Sequence, residues 1–281
     1  MKIKFWGTRG SIPVPGKETI LYGGNTTCLE ITLESGRTVV IDAGTGIRAL
    51  GDKLTAEQDR VNIHLLMTHI HWDHVLGFPF FAPIYESSSI IRIDGYPNGM
   101  KGLRNTFDNK MGDGFFPVKF DDLTSQIHYL DILSKGPLEI DGTSIDKIRL
   151  RHPQGGYGFR FREGGKTLVF ITDNELMEEG GAGMSPEDYM EFCVGADLLI
   201  HDAQYTPEEI VKRREWGHSD YRAAMDLAIK ADVNKLVLFH HDPTRTDPEL
   251  TAIKVMCDDL ARKKDVPLII DVARENSEHE I

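Results

Sequence analysis

Three histidines and one aspartate lie within six residues, and this segment constrains the chain more than any other. The HxHxDH pattern at residues 69–74 directly follows a short apolar run that is typical of a buried strand. Alternate residues of an extended segment point the same way, so we expect His69, His71 and Asp73 on one face. His74 becomes available where the chain turns. Imidazole and carboxylate are ligands for zinc, manganese and iron. The segment is too short for one ion to take all four groups easily, so we expect two ions, one on His69 and His71 and one on Asp73 and His74.

Other polar residues repeat this placement at the ends of apolar strands. His152, Asp173 and the pair His240-His241 each follow such a run. Neighbouring residues of a strand point to opposite faces, so only one of His240 and His241 is expected to bind metal. Asp42 also follows a strand, where it is expected to support the metal loop, to cap the next helix, or to do both. The candidate ligands are therefore His69, His71, Asp73, His74, His152, Asp173 and one of His240 and His241.

Predicted strands come in two clusters, each followed by predicted helices, which indicates an α/β protein. No linker, low-complexity run or internal repeat divides the sequence, so we expect one domain over residues 1–281. The irregular segment 96–123 is either a lid or wall over the pocket or a surface excursion. If it is a wall, Phe115 and Phe116 are candidates for stacking on a base. The polar tail, 274–281, is expected to be frayed.

The composition of the chain narrows the compartment and the partners. The net charge of −12 argues against a broad nucleic-acid surface, so an extended nucleic acid is expected to be an unlikely partner. The sequence contains no run of eighteen or more apolar residues, so no membrane span is predicted. The first residues do not have the pattern of a signal peptide, and we therefore expect a cytoplasmic protein. Cys28, Cys193 and Cys257 form no CxxC pair and are expected to be buried free thiols.

The HxHxDH motif and the later strand-end residues resemble the metallo-β-lactamase fold hydrolases, in the branch of ribonuclease Z and related phosphodiesterases. The resemblance covers most of the chain and implies a four-layer αββα sandwich. It implies that Asp173 bridges two divalent ions, Zn²⁺ or Mn²⁺ rather than iron. It also selects His240 as the last ligand, leaving His241 either to contact substrate or to lie on the surface. The implied first ion is held by His69, His71 and His152, and the second by Asp73, His74 and His240.

Two further segments resemble ribonuclease Z and imply a proton donor. His218 in the segment 216–219 matches the donor histidine, and Asp202 in the segment 198–205 matches its assisting acid, although ribonuclease Z usually has glutamate there. A different role for His218 is to cap the helix expected at 220–231. A metal pair activates a water and stabilises a phosphoryl group, and His218 would protonate the leaving oxygen. The expected catalytic residues are Asp73, His218 and Asp202.

Because no long basic arm is evident, the sequence favours a small phosphodiester, such as a cyclic nucleotide or a nucleotide-derived ester. The main alternative is a metal-dependent hydrolase of carboxylic esters, lactones or thioesters on the same fold. An iron redox enzyme and a non-catalytic binding module are weaker alternatives. A homodimer is a further expectation from the resemblance.

Overall fold

The computed structural model describes residues 1–97, 100–108, 111, 112, 114, 116–176 and 184–281. In this part of the chain, two seven-stranded sheets lie face to face. The first sheet is built from β1 (Lys2–Gly7), β2 (Cys28–Thr32), β3 (Thr38–Ile41), β4 (Asn62–Met67), β5 (Ile90–Gly95), β6 (Gln126–Tyr129) and the distant β14 (Glu278–Glu280). Their order across the sheet is β14-β1-β2-β3-β4-β5-β6, and β3 to β6 run parallel.

The second sheet uses the strands of the later half of the chain. They are β7 (Leu138–Ile140), β8 (Thr143–Arg149), β9 (Tyr157–Glu163), β10 (Lys166–Ile171), β11 (Leu198–Asp202), β12 (Lys235–Phe239) and β13 (Ile269–Val272). Their order is β13-β12-β11-β10-β9-β8-β7, with β10 to β13 parallel. The described α-helices are α1 (Ile47–Glu57), α2 (Trp72–Val75), α3 (Asn105–Asp108), α4 (Pro186–Cys193), α5 (Pro207–Ile210), α6 (Tyr221–Lys230) and α7 (Asp247–Lys263). Met100–Arg104 forms a π-helical turn, and 3₁₀ turns form at Lys17–Thr19, Phe78–Phe80, Ala82–Tyr85 and Phe120–Asp122.

Three apolar clusters separate four layers, as the resemblance implies. The central cluster joins the facing sides of the two sheets, where the rings of Phe5 and Phe170 lie 5.9 and 5.4 Å from that of Phe239. Each buried ring stabilises the fold by roughly 1.5–3 kcal/mol relative to an exposed one. A second cluster packs α1 and the 3₁₀ turns on the outer face of the first sheet. The third packs α4, α6 and α7 on the outer face of the second. The four-layer α/β sandwich is therefore confirmed.

The strands that carry the candidate site residues end at one edge of the sandwich. β4 is apolar on both faces at its carboxyl end, because Ile63, Leu65 and Met67 pack towards the helices and Leu66 packs between the sheets. A strand buried on both sides reads as a continuous apolar run, which explains the pattern before the HxHxDH motif. Since parallel strands share a direction, their carboxyl ends bring the following loops together.

Two expectations about less regular segments have different outcomes. The prediction that the tail is frayed is wrong, because β14 pairs antiparallel with β1, where Ile3 lies opposite His279. The polar residues are accommodated there because an edge strand needs only backbone hydrogen bonds and one buried face. In the segment 96–123, Leu103 and Phe107 are buried against the outer face of the first sheet. Phe115 lies outside the described residues, so its stacking role stays untested, as does the role of a lid.

Other expectations concern cysteines and membranes. Cys28, Cys193 and Cys257 are all buried and free, as predicted. Of the helices in the described ranges, none combines the length and the apolar character that a membrane crossing requires.

Candidate active site

Three residues just past a strand end have a left-handed backbone. Asp42 follows β3, Asp173 follows β10 and His240 follows β12, with φ of 61°, 48° and 58°. This conformation is unfavourable for residues other than glycine and costs of order 1–2 kcal/mol. It turns each chain sharply at the sheet edge. Because such backbone strain concentrates at functional sites, its recurrence here marks this edge as the candidate site.

The first group of ligand candidates consists of His69, His71 and His152. One nitrogen of each ring lies within 4.8 Å of the others. His152 Nε2 is 3.0 Å from His71 Nδ1, and the ring of His69 is within 4.8 Å of both other rings, centroid to centroid. Three imidazoles converging in this way form a site that could hold one divalent ion.

The second group consists of Asp73, His74, Asp173 and His240, all of them buried. His240 Nε2 lies 3.3 Å from Asp73 Oδ2 and 3.1 Å from Asp173 Oδ1. His74 Nε2 lies 3.3 Å from each of the same two oxygens. Two imidazoles and two carboxylates within this distance could hold a second divalent ion.

Asp173 joins the two groups through its two carboxylate oxygens. Oδ1 faces His74 and His240, whereas Oδ2 lies 3.6 Å from His69 Nε2 and 3.8 Å from His152 Nε2. A carboxylate that offers one oxygen to each group has the geometry of a bridge. The structure thus brings together all seven residues predicted as ligands, in the two sets that the resemblance implies.

Each of the five imidazoles offers one nitrogen to the cluster, and the other is held from outside. These outer contacts fix which ring nitrogen points inward, as they do at metal sites generally. The outer partners are Thr68 Oγ1 for His69, Gln154 Oε1 for His71, Asp42 Oδ2 for His74, the Gly217 carbonyl for His152 and Gln204 Oε1 for His240.

The hydrogen bonding and the charge of the cluster indicate that it binds cations. Nε2 of His69 and Nε2 of His74 are buried and have no hydrogen-bond partner among the described residues. Burial, with the nearby imidazole of His74, keeps the pKa of His69 well below its ordinary value, so His69 is neutral. Burial also opposes protonation of His74, but the carboxylates of Asp73, Asp173 and Asp42 outweigh it and raise the pKa of His74 well above its ordinary value. Buried carboxylates are costly unless a positive charge lies beside them, and two divalent ions would supply that charge.

Asp42 has the supporting role, and the alternative that it caps a helix is wrong. Its Oδ1 accepts a hydrogen bond from the backbone N–H of Thr68 at 2.7 Å, and its Oδ2 contacts His74 Nδ1 at 2.7 Å. Helix α1 begins after Gly46, without a side-chain cap. Asp42 faces the metal loop because its backbone turns at the end of β3.

His218 and Asp202 form a hydrogen-bonded pair beside the cluster. His218 Nδ1 lies 2.7 Å from Asp202 Oδ2, so the shorter aspartate does reach the ring. Oδ1 of Asp202 accepts the backbone N–H groups of Gln204 and Ser219, at 3.0 and 3.3 Å. Burial disfavours the imidazolium of His218, but the carboxylate of Asp202 outweighs this effect and raises the pKa of His218 to about 9. The alternative that His218 caps α6 is wrong, because the cap is Asp220, whose side chain accepts the backbone N–H groups of Arg222 and Ala223.

Two residues that were not predicted, Glu175 and Ser11, support the site through hydrogen bonds with the backbone. Glu175 is buried and accepts the backbone N–H groups of Glu215 and Gly217, both at 3.0 Å. The backbone N–H of Ser11 donates to Asp73 Oδ2 at 2.7 Å. Glu175 follows the ligand candidate Asp173 by two residues, whereas Ser11 lies 62 residues before Asp73, and nothing in the type of either residue marks it as a supporting group.

His241 has neither of the roles expected for it. It is buried, and its Nε2 donates to the carbonyl of Ala273 at 2.8 Å. Burial, followed by the charge of Arg9, lowers the pKa of His241 to about 3, so the ring is neutral. His241 points away from the cluster because adjacent residues diverge at the end of β12, and it anchors the chain after β13.

The cluster opens into a cavity of about 250 Å³. The cavity is lined by Ser11, His71, Trp72, Asp73, Asp173, His218 and His240. It therefore joins both ligand groups to His218. A substrate atom in this cavity would meet the cluster on one side and the imidazole of His218 on the other.

Residues 37–241 match the family described as a beta-lactamase superfamily domain. The chain belongs to the metallo-β-lactamase superfamily. A ribonuclease Z of Metallosphaera sedula is 26% identical over 277 residues, covering 85% of this chain and 88% of that protein. Together with the histidine and aspartate cluster, this membership makes the protein a metal-dependent hydrolase related to ribonuclease Z and phosphodiesterases.

Two solved structures confirm the fold. The short form of human tRNase Z superposes with a TM-score of 0.65 at 20% identity, covering 100% of this chain and 99% of that chain. Zinc-bound PqqB from Methylobacterium extorquens superposes with a TM-score of 0.69 at 14% identity, covering 100% of each chain.

The expectation that an extended nucleic acid is an unlikely partner is wrong. Relatives that match most of the chain are ribonucleases, and the human structural neighbour is named for tRNA. The net charge of −12 misleads because it sums carboxylates over the whole surface, whereas phosphate contacts are local. Close to His218 the chain carries Lys212, Arg213 and Arg214, of which Lys212 and Arg214 are exposed.

Proposed function

We propose that this protein hydrolyses phosphodiester bonds, using two divalent ions and His218 as the proton donor to the leaving oxygen. The observation that supports it most is the 2.7 Å contact between His218 Nδ1 and Asp202 Oδ2 at the rim of a seven-residue ligand cluster. Hydrolysis of a carbon ester of an activated alcohol needs a metal site but no such buried acid–imidazole pair. A phosphodiester with an alkoxide leaving group needs both.

The proposed first ion is held by His69, His71 and His152, and the second by Asp73, His74 and His240, with Asp173 shared. When bound, the ions supply activation of a water at neutral pH and positive charge for the phosphoryl oxygens. Zinc is the first choice because five of the seven ligands are imidazoles, and manganese is the second. PqqB, the structural neighbour from Methylobacterium extorquens, binds zinc on this fold, which supports this order.

The protein positions these ligands before any substrate arrives. Asp42 and Thr68 hold the loop after β4, and Gln204 holds His240. Ser11 donates its backbone N–H to Asp73, which fixes the carboxylate that we assign to both metal binding and catalysis. Such outer contacts leave little reorganisation for the reaction itself.

His218 is the proposed catalytic acid, and Asp202 is its positioning residue. Because His218 Nδ1 is hydrogen-bonded to Asp202, Nε2 is the ring nitrogen available to donate a proton to a substrate in the cavity. As the bond between phosphorus and the leaving oxygen breaks, the proton on Nε2 passes to that oxygen, and His218 becomes neutral. Asp202 also accepts two backbone N–H groups, which hold its carboxylate in position beside the imidazole.

A panel of substrates for the zinc- or manganese-reconstituted protein tests this proposal. The panel contains bis-p-nitrophenyl phosphate, a dinucleotide, a precursor tRNA, p-nitrophenyl acetate and a simple lactone, each measured against metal-free protein. We expect metal-dependent turnover of the phosphodiesters, and RNA is included because relatives are ribonucleases. Turnover of the ester or lactone without any phosphodiester turnover would establish the alternative, a carbon-ester hydrolase.

A further inference from the structure

The cavity at the cluster is too small for the whole of a nucleotide-containing substrate. Its volume is about 250 Å³, whereas pockets that bury a drug-sized ligand measure roughly 300–1,000 Å³. The phosphodiester itself fits among the ligands and His218. Groups attached to the phosphorus must therefore extend past the rim, and the residues of the rim decide which groups bind well.

Trp72 is the one large apolar side chain among the described residues that line this cavity. The other lining residues are serine, histidine and aspartate. Trp72 is 59% exposed, and no other described ring or cationic side chain stacks on it. An exposed indole lacks the stabilisation that burial would give, so the exposed position of Trp72 at the cavity favours a binding partner outside the chain.

The backbone holds Trp72 firmly in place beside the cluster. It is the first residue of α2, between the ligand candidates His71 and Asp73. His74 donates its backbone N–H to the carbonyl of His71, and Leu76 donates to that of Trp72, at 3.0 and 2.8 Å. The main chain of Trp72 is therefore fixed relative to the ligands, so a group that stacks on the indole has to order only its two side-chain torsions.

We propose that Trp72 is a specificity-determining residue that stacks on the nucleobase of a nucleotide whose phosphate lies at the cluster. This inference rests on the proposed function, because it takes the phosphodiester site as its starting point. The ring offers a flat face at the mouth of a site built for phosphate, and every nucleobase has a matching flat face. Stacking of this kind discriminates little between bases but strongly between a nucleotide and a small alkyl phosphate.

A second copy of the chain is the rival occupant of this surface. Leu76 and Phe80 are 39% and 55% exposed and follow Trp72 at spacings of four residues. However, a copy seated on Trp72 would cover the mouth of the cavity and exclude the substrate from the cluster. The position of Trp72 in the lining of the cavity therefore favours the nucleobase.

The test is a binding measurement on zinc-loaded protein that needs no turnover. Isothermal titration calorimetry compares adenosine 5′-monophosphate with methyl phosphate, two phosphate monoesters that differ in the nucleoside. We expect the wild type to bind the nucleotide more tightly. Trp72→Leu should raise the Kd of the nucleotide roughly 5- to 100-fold and leave that of methyl phosphate unchanged. Trp72→Phe keeps a flat ring and should retain most of the difference.

Val194→Ala is the matched control, since Val194 is 61% exposed and follows α4, on the outer face of the second sheet. It should change neither Kd. If Trp72→Leu leaves the ratio of the two Kd values as in the wild type, the stacking role is wrong, whatever the turnover panel shows. Loss of a dimer in Trp72→Leu by light scattering, with an unchanged ratio, would also overturn it and assign Trp72 to an interface. Failure of the proposed function shows separately, as a lack of phosphodiester turnover by the wild type.

Discussion

His152 Nδ1 lies 2.9 Å from the main-chain carbonyl of Gly217, so a ligand candidate and the segment that carries His218 are held together by one hydrogen bond. The contact allows no side chain on residue 217. A Cβ at that position would lie 2.2 Å from His152 Nδ1, and the φ of Gly217 is +84°. The positions of the first metal group and of the proposed proton donor are therefore linked.

Gly217→Ala is expected to weaken both metal binding and turnover. The added methyl group must displace His152 or the segment 215–218. We expect the affinity for zinc to fall roughly 10- to 100-fold, as when an outer contact of a metal ligand is lost. Competition against a chromophoric chelator measures this directly.

Gly165→Ala is the control for that experiment, because Gly165 also has a positive φ, +78°, but a Cβ there meets no atom within 4 Å. Both variants should lose of order 1–2 kcal/mol of unfolding free energy to the left-handed backbone. Only Gly217→Ala should lose zinc affinity. Equal zinc affinities in the two variants would show that the contact with His152 is unimportant.

His218→Ala is expected to keep its zinc and lose turnover in a way that depends on the leaving group. General acid catalysis contributes roughly 10²- to 10⁴-fold, but only where the leaving oxygen needs a proton. Turnover of a dinucleotide should therefore fall by about this factor. Turnover of bis-p-nitrophenyl phosphate should fall far less, since p-nitrophenolate leaves without a proton.

Asp202→Asn should reproduce this dependence on the leaving group in weaker form, because the carboxylate orients His218 and supports its charge. Zinc content by atomic emission serves as the check that the cluster is intact. Equal losses on both substrates would mean that His218 supports the structure and does not donate a proton.

Acid is expected to destabilise the fold partly through His64 on β4. Burial, followed by the charges of Arg92 and Arg37, lowers the pKa of His64 to about 4, from an ordinary 6.5. Between these values the unfolded chain binds a proton at His64 and the folded chain does not. The unfolding free energy therefore falls as the pH drops from about 6.5 to about 4.

The pH series should be run on His64→Gln beside the wild type, with urea midpoints measured across this window. The variant should lose less stability between neutral and acidic pH. His128→Gln, at an exposed position on β6, serves as the control and should follow the wild type. Parallel curves for His64→Gln and the wild type would rule out His64 as a source of the acid sensitivity.

The ligand set was predictable because its information is local. HxHxDH follows an apolar run, and His152, Asp173 and His240 each follow a strand, and these strands all end at the same edge of the sandwich. The α/β pattern was predictable from apolar periodicity, which shows which faces are buried, whereas the four-layer arrangement required the resemblance. The exact choice of His240 over His241 required the resemblance, because both residues follow the same strand.

The outer contacts were not predictable, because they depend on how separate loops approach each other. Gln154, Gln204 and the carbonyl of Gly217 contact ligand candidates from other parts of the chain. Nor does a polar tail reveal that β14 will pair with β1, at the opposite end of the chain. Net charge failed as a guide to partners because it averages over surfaces that the substrate does not touch.

Anomalous diffraction at the zinc edge, from crystals grown with zinc, tests the central claim most directly. We expect two peaks, one within about 2.0–2.2 Å of nitrogens of His69, His71 and His152. The other should lie equally close to Asp73, His74 and His240, with one oxygen of Asp173 directed at each ion. Peaks elsewhere, or no peak at these seven side chains, would contradict it.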